Sequence, residues 1–509
     1  MKAVLLAVAA ALLLAACAPF PFPEGRTVSF VQRDTADTRL GRAVAPQVAA
    51  HPQLTGVVAL GDGRDAFAAR ALLAAAAERT LDVQYYIWHA DLSGMLLFDA
   101  LLQAAERGVR VRLLLDDLNT AGLDRLLAAF DRHPNVEVRL FNPFPSRRWR
   151  WLGYLTDFAR LNRRMHNKSF TADNQVTIVG GRNVGDEYFG AGQDLLFVDL
   201  DVMAVGSVVD EVSNDFDRYW ASASAWPVER IVGRVDASEA DELAARVASA
   251  RRDPLAVEYL RAVGRQPFVR ELLAGTLAFE WAGAQLVSDD PAKGLGFAEA
   301  HAMLPSRLEA LLGRPQHEFE LVSPYFVPGR LGTEALTRMA GRGVRVRVLT
   351  NSLEATDVAA VHAGYAKRRE TLLAAGVELF EMKGAVAPDA VAGSGVMGSS
   401  ASSLHAKTFS VDRARVFVGS FNFDPRSARL NTEMGVIIDS AMLADRIAGV
   451  FDERVSRHAY EVRRNDSGEL RWIEWMNGDP IVHDDEPYAS LTRRLGTQLL
   501  SLLPIEWLL

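Results

Sequence analysis

Cysteine is almost absent from this chain: Cys17 is the one thiol among 509 residues. No internal disulfide can form, and a Cys-rich zinc module is excluded. The lack of other thiols is compatible with an oxidising compartment. Long apolar runs are missing too. Residues 3–16 form an apolar stretch after Met1-Lys2, shorter than the ~20 residues that span a bilayer. Positive charge is not in excess. Lys and Arg number 56 against 64 Asp and Glu, for a net charge of −8 and a pI of about 5.8. That balance argues against nucleic acid as the main partner, although a local basic groove stays open. What the chain does have is apolar material. Hydrophobic residues make up 49% of it, ample for large cores, and its length suggests two to four domains.

One stretch occurs twice. The first copy runs His166-Asn167-Lys168-Ser169-Phe170-Thr171-Ala172-Asp173 and closes on Gly180-Gly181-Arg182-Asn183. The second runs His405-Ala406-Lys407-Thr408-Phe409-Ser410-Val411-Asp412 and closes on Gly419-Ser420-Phe421-Asn422. In each, Lys follows His by two residues, Asp follows Lys by five, and the closing Asn follows His by 17. Alternation in an extended strand puts His and Lys on one face. Lys is a donor-only point charge and Asn carries two amide donors, a set suited to the non-bridging oxygens of a phosphodiester. His serves as a nucleophile when neutral and as an acid when protonated. One copy supplies one His and a phosphodiester exchange uses two, so the copies read as halves of one active site. Lys is a poor metal ligand and no carboxylate or Cys sits at ligand spacing, so no metal is expected.

The repeat extends beyond the motif. Residues 81–88, 109–115 and 136–141 read as strands, with helices at 65–78, 95–107 and 123–131. Residues 319–326 match 81–88, Arg342–Arg347 repeats Arg107–Arg112, and residues 377–379 repeat 136–138, at offsets of 235 to 241 against 239 at the motifs. Repetition this long marks a duplication. Strands alternating with helices predict largely parallel sheets with helices on both faces. The expected fold is α/β: two halves, residues 56–220 and 281–509, about a pseudo-twofold axis with the active site at the seam. A helical connector, residues 221–280, reads as a packing element or lid, with helical periodicity at 238–251 and 257–262 interrupted by Pro254.

The paired His-x-Lys-x4-Asp motifs resemble those of the phospholipase D superfamily. Residues 81–88, 107–117, 154–192, 325–327, 349–365, 404–435 and 503–509 are similar to the bacterial cardiolipin synthases of the C type. The resemblance implies two phospholipase D-like α/β/α sandwich halves and a double-displacement phosphatidyl transfer. It assigns His166, Lys168, Asp173, His405, Lys407 and Asp412 to the catalytic motif. His166 would be the nucleophile and His405 the general acid and base, a choice the symmetry of the sequence does not make. Lys168, Lys407, Asn183 and Asn422 would hold the phosphoryl oxygens. Asp173 and Asp412, five residues past each Lys, read as structural members. Glu433 and Asp201 match the carboxylates that orient each His, with Asp199 competing for the place of Asp201. No metal or organic cofactor is implied.

The amino terminus reads as a lipoprotein signal peptide, residues 1–16. Leu14-Ala15-Ala16-Cys17 resembles the bacterial lipobox, with Cys17 the lipidated residue; an ordinary signal peptide or uncleaved anchor is the alternative. Residues 17–55, with Pro19, Pro21 and Pro23, read as a tether of little structure. The expected place is the bacterial cell envelope, lipid-anchored and facing the periplasm, with inner against outer membrane open. Arg147, Arg148 and Arg150 interleave with Trp149 and Trp151, a composition for an anionic membrane interface or for a solvated basic loop. Arg160, Arg163 and Arg164 are candidates for the mouth of the substrate groove. Residues 386–403 read as a flexible loop. Leu491, Leu495, Leu499 and Leu502 line one face of an amphipathic tail, expected to pack on the body rather than on a membrane.

The expected activity is formation of cardiolipin from phosphatidylglycerol and a second phospholipid, with phosphatidylethanolamine favoured as donor by the resemblance. The alternatives are a hydrolase releasing phosphatidic acid and a phosphodiesterase or nuclease on the same fold. The expected partners are phospholipids and a membrane surface, without nucleic acid.

Overall fold

The structure, a computed structural model, describes residues 26–191, 196–384, 402–476, 478–504 and 506–509. Cys17, the signal peptide and most of the Gly/Ser-rich stretch 386–403 lie outside the described residues.

Two sheets carry the fold. The first has nine strands, in the order Glu280–Ala282, Thr55–Leu60, Asp201–Gly206, Val176–Gly180, Ser169–Ala172, Thr80–Tyr85, Arg110–Asp116, Val136–Phe141, Ala225–Pro227. The second has ten: Ala284–Ser288, Met434–Ile438, Arg415–Gly419, Thr408–Val411, Glu318–Val322, Arg345–Asn351, Glu378–Met382, Ala459–Arg464, Leu470–Met476, Asp479–His483. From Asp201–Gly206 to Val136–Phe141, and from Met434–Ile438 to Glu378–Met382, strand order is the same in both. The duplication read in the sequence is therefore a duplication of topology. Side-chain pairs repeat with it: Arg112 is buried on Asp82 of the neighbouring strand at 2.7 Å, and Arg347 on Glu320 in the same manner.

The sheets are mixed, not largely parallel as expected. Thr80–Tyr85, Arg110–Asp116 and Val136–Phe141 pair in parallel, as do their counterparts in the second sheet. The other pairings are antiparallel. Helical crossovers keep three strands parallel in each half. The motif strand, by contrast, turns straight back on itself, which forces its neighbours to alternate.

The seam is an apolar layer shared by both halves. Val179, Val202 and Ala204 of the first sheet are buried with Val416, Val418, Met434 and Val436 of the second. The chain passes from one sheet to the other at Gly283. Helices Ala237–Ala250, Pro254–Gly264 and Pro267–Ala274 of the connector stack on helices Gly63–Ala76, Leu92–Glu106 and Asp124–Asp131 of the first half. Asp236 starts the first with a capping box, and Asp253 with Pro254 starts the second. The connector thus packs on the helices of the first half.

Two expectations about the chain ends are corrected. Described residues of the 17–55 segment are docked, not loose. Ser29 and Phe30 carbonyls accept from Arg112 and Arg110, and Thr38 caps helix Arg39–Ala50. Arginines of the interior strand Arg110–Asp116 hold this segment in place. The tail helix Leu491–Ser501 packs on helix Ala359–Ala366. Its apolar stripe faces outward: Leu491, Leu495, Leu499 and Leu502 are 51% to 80% exposed. Arg493 instead reaches the body, donating to the Thr356 carbonyl, and Arg494 donates to Ala489. The polar face therefore won the contact with the protein.

Candidate active site

Each motif is a hairpin locked to the central strand by its own aspartate. Asp173 and Asn174 turn the chain with positive φ, 52° and 50°, and Asp412 and Arg413 repeat this at 51° and 49°. Short polar side chains tolerate that region, which is why Asp occupies both turns. The Asp173 carboxylate accepts from the backbone N–H groups of Glu78, Arg79 and Thr80. Asp412 accepts from Gln316, His317 and Glu318. Both carboxylates sit at the far end of the motif strand from His and Lys. Their contacts are with backbone N–H groups. His166 to Lys168 and His405 to Lys407 lie in extended chain just ahead of the strands Ser169–Ala172 and Thr408–Val411.

The two halves then exchange partners across the seam. The His166 N–H donates to the Thr432 carbonyl, 2.8 Å, and Thr432 N–H donates to Arg164. His405 N–H donates to the Val198 carbonyl, 2.8 Å, and strand Ser402–Leu404 pairs with Leu196–Val198. The residue after each acceptor is a carboxylate that bonds the His ring. Glu433 Oε2 is 2.8 Å from His166 Nδ1, and Asp199 Oδ2 is 2.6 Å from His405 Nδ1. Each His is oriented by the other half. Asp201 is not at either His. It is buried against Arg70, 2.8 Å from its guanidinium, and accepts the Arg182 N–H. Asp199 precedes the strand and reaches the seam; Asp201 is two residues on, inside the sheet.

One difference between the motif copies signals this. Gly181 stands where the second copy has Ser420. A Cβ on Gly181 would lie 2.2 Å from Asp199 Oδ1. The missing side chain makes room for the short carboxylate. Ser420 instead donates its hydroxyl to Glu433.

Four groups that can carry positive charge converge here, all of them buried or nearly so. Lys168 Nζ donates to the His166 carbonyl at 2.7 Å; Lys407 Nζ donates to the His405 carbonyl and lies 2.9 Å from His405 Nδ1. Burial, then the opposing Lys407 charge, brings Lys168 down to about 7; Glu433 resists that fall. Burial brings Lys407 down to about 8. Burial, with Lys168, Lys407 and His405, pushes His166 well below its usual value. His405 is lowered by burial and Lys407, against the pull of Asp199. Burial lifts Glu433 to about 7 despite Lys168. Burial would lift Asp199 too, but His405 and Lys407 outweigh it and hold this carboxylate below its usual range. Burial thus keeps charge off His166, while Asp199 stays ionised beside His405.

The asparagines are placed unequally. Asn183 accepts from Ile87 N–H and donates to the Tyr188 hydroxyl. The Asn422 Oδ1 has no hydrogen-bond partner among the described residues. Tyr86 stands edge-on to His166 at 4.8 Å and Tyr188 edge-on to His405 at 5.2 Å. Sequence reasoning did not single out Tyr188, Ser420 or Asp357, whose carboxylate accepts from the Tyr325 hydroxyl at 2.7 Å. Of the three arginines read as lining the mouth, Arg164 is buried 3.3 Å from Asp116 and Arg160 is paired with Asp157. Arg163 donates to the Ala159 carbonyl. Arg147 and Arg150 are tied to Asp117 and Asp124, while Trp149 and Trp151 are exposed.

Comparison with known proteins agrees with this geometry. Residues 70–220 and 308–455 match the family model described as cardiolipin synthase, PLD-like domain. Cardiolipin synthase C of Escherichia coli (strain K12) is 51% identical over 472 residues, 92% of this chain and 100% of that protein. Cardiolipin synthase of Oceanobacillus iheyensis is 24% identical over 82% of this chain and 72% of its own. The crystal structure of phosphatidylserine synthase from Haemophilus influenzae shares the fold, with TM-score 0.56 at 15% identity, covering 93% of this chain and 100% of that one. The chain belongs to the phospholipase D superfamily, as a phosphatidyltransferase of the cardiolipin synthase family.

Proposed function

We propose that this enzyme makes cardiolipin by moving a phosphatidyl group from one phospholipid to phosphatidylglycerol through a phosphohistidine at His166. The observation that carries the reading is the pair of imidazoles, each bound at Nδ1 by a carboxylate of the opposite half, with Lys168 and Lys407 beside them. Holding Nδ1 leaves Nε2 of each ring for chemistry.

In the first step His166 Nε2 attacks phosphorus and an N–P bond forms. The P–O bond to the leaving headgroup breaks, and His405 gives its Nε2 proton to that oxygen. In the second step the acceptor hydroxyl gives its proton back to His405, its oxygen attacks phosphorus, and the N–P bond breaks. The assignment of roles is supported by electrostatics: burial and neighbouring cations push His166 well below its usual value, keeping it neutral as a nucleophile must be, while at His405 the ionised Asp199 opposes the same fall. Lys168, Lys407, Asn183 and Asn422 would hold the phosphoryl oxygens as charge builds on them. A phosphate between the two lysines would also favour their charged forms, which burial now disfavours.

The surface supports a membrane-bound substrate. Trp149, Trp151, Leu155 and Phe158 on one flank, and Leu495, Leu499 and Leu502 on the other, are exposed. Arg426 links the flanks, donating to Asn162 at 2.7 Å and to the Leu508 carbonyl at 2.9 Å. We further propose attachment through lipid on Cys17, in the cell envelope on the periplasmic side, and phosphatidylethanolamine as donor. The described residues contain no helix long and apolar enough to cross a membrane.

Vesicles of phosphatidylethanolamine and phosphatidylglycerol incubated with the enzyme should yield cardiolipin and ethanolamine in step, and enzyme denatured at neutral pH should carry label on His166 that acid releases. If phosphatidic acid dominates with acceptor in excess, the enzyme is a hydrolase. Label on His405 would reverse the two roles.

A further inference from the structure

The two ends of the site are chemically unlike. At the His166 end, Tyr86 lies in the field of Asp116, Arg164 and Arg426, and the Lys168 ammonium is 5.6 Å from its ring. At the His405 end two carboxylates, Glu187 and Asp357, act on Tyr188, with Lys407 close to the His405 ring. Asp357 lies in the connection between strand Arg345–Asn351 and helix Ala359–Ala366, and its carboxylate is exposed. Among the described residues its one hydrogen bond is from Tyr325. Burial, then Asp357, drives the Tyr325 phenol well above its usual value, so it remains a donor to that carboxylate. The Asp357 charge also reaches Tyr188, which stands over His405, and Lys407. Glu187 adds to the negative field at Tyr188. The nearby cation, Arg493, donates to the Thr356 carbonyl rather than pairing with Asp357.

We infer that Asp357, with the phenols of Tyr325 and Tyr188, seats the primary ammonium of the leaving headgroup. The inference rests on the proposed roles, in which His405 protonates the leaving oxygen. In an ethanolamine headgroup the ammonium is two carbons from that oxygen, so it must lie on the His405 side. A carboxylate flanked by aromatic rings is suited to an ammonium, through a charge-assisted hydrogen bond and attraction to the ring faces. Phosphatidylglycerol offers only hydroxyls there. They can donate to Asp357 but leave its charge unneutralised. Asp357 is therefore the specificity-determining residue for the donor, favouring a zwitterionic lipid with a primary amine.

The test counts headgroups released from vesicles with equal phosphatidylethanolamine and phosphatidylglycerol. Released ethanolamine and glycerol are measured whether the phosphatidyl group lands on lipid or on water, so the result does not depend on the transferase reading. Wild type should release ethanolamine in excess. Asp357→Asn should lower the ethanolamine-to-glycerol ratio at least tenfold, Tyr325→Phe severalfold, and Asp357→Glu should restore most of it. With wild type alone, glycerophosphoethanolamine should inhibit more strongly than glycerophosphoglycerol, which tests the seat without a variant. A ratio within twofold of wild type in Asp357→Asn, or equal inhibition by the two diesters, overturns the inference. Release of neither headgroup by wild type would overturn the phosphatidyl-transfer reading itself, and this inference with it.

Discussion

Asp199→Asn should slow turnover without loosening the fold, and Asp201→Asn should do the reverse. Asp199 bonds His405 Nδ1 at 2.6 Å and accepts the Leu200 N–H at 2.7 Å. An amide keeps the second contact but loses the negative charge and favours the wrong imidazole tautomer. The same exchange in a His–carboxylate pair lowers kcat by as much as ~10⁴. A loss of ~10² to 10⁴ corresponds to about 2.7 to 5.4 kcal/mol of transition-state stabilisation. Asp201 makes no contact with either His. It neutralises Arg70 at 2.8 Å and lies 3.5 Å from Arg182, all three fully buried. Removing its charge leaves buried guanidinium uncompensated, at a cost of about 3 to 5 kcal/mol. Headgroup release at saturating lipid gives kcat, and the urea midpoint reports the fold. The reasoning fails if Asp201→Asn loses a hundredfold in kcat at an unchanged midpoint, or if Asp199→Asn stays within tenfold of wild type.

Asp173→Ala strands three backbone N–H groups and should destabilise the first half by about 4.5 kcal/mol or more, each charge-assisted bond contributing ~1.5 kcal/mol or more; a lowered melting temperature checks this. Asp412 has its value depressed, against burial, by the Gln316, Glu318 and His317 N–H groups. Its contribution is therefore present above the unfolded value of about 3.9 and lost as pH falls toward the lower folded value. An acid titration of Asp412→Asn should lack that component below about pH 4. Leu495→Glu with Leu499→Glu should weaken sedimentation with anionic vesicles severalfold; unchanged sedimentation would mean the outward stripe does not meet the membrane.

Local pattern alone determined a good deal of this protein. The alternation around Lys168 and Lys407 and the Gly turns before Asn183 and Asn422 rest on near neighbours in the chain. So do the Asp-led turns at Asp173 and Asp412, and all of these are visible as spacing. Two intact copies in one register implied a two-His site, and the repeat at Arg107 and Arg342 implied two like halves. The structure supplied what spacing does not hold. His166 and Glu433 are 267 residues apart, and His405 and Asp199 are 206 apart. Asp199 and Asp201 are chemically alike, and only the position of the sheet edge relative to the seam separates them. The outward turn of Leu495 and the pairing of Asp357 with Tyr325 depend likewise on which surface meets which. A periodic pattern fixes that a helix has an apolar side or that a strand alternates. The direction those sides face is set by packing between distant segments, and so only the tertiary structure decided it.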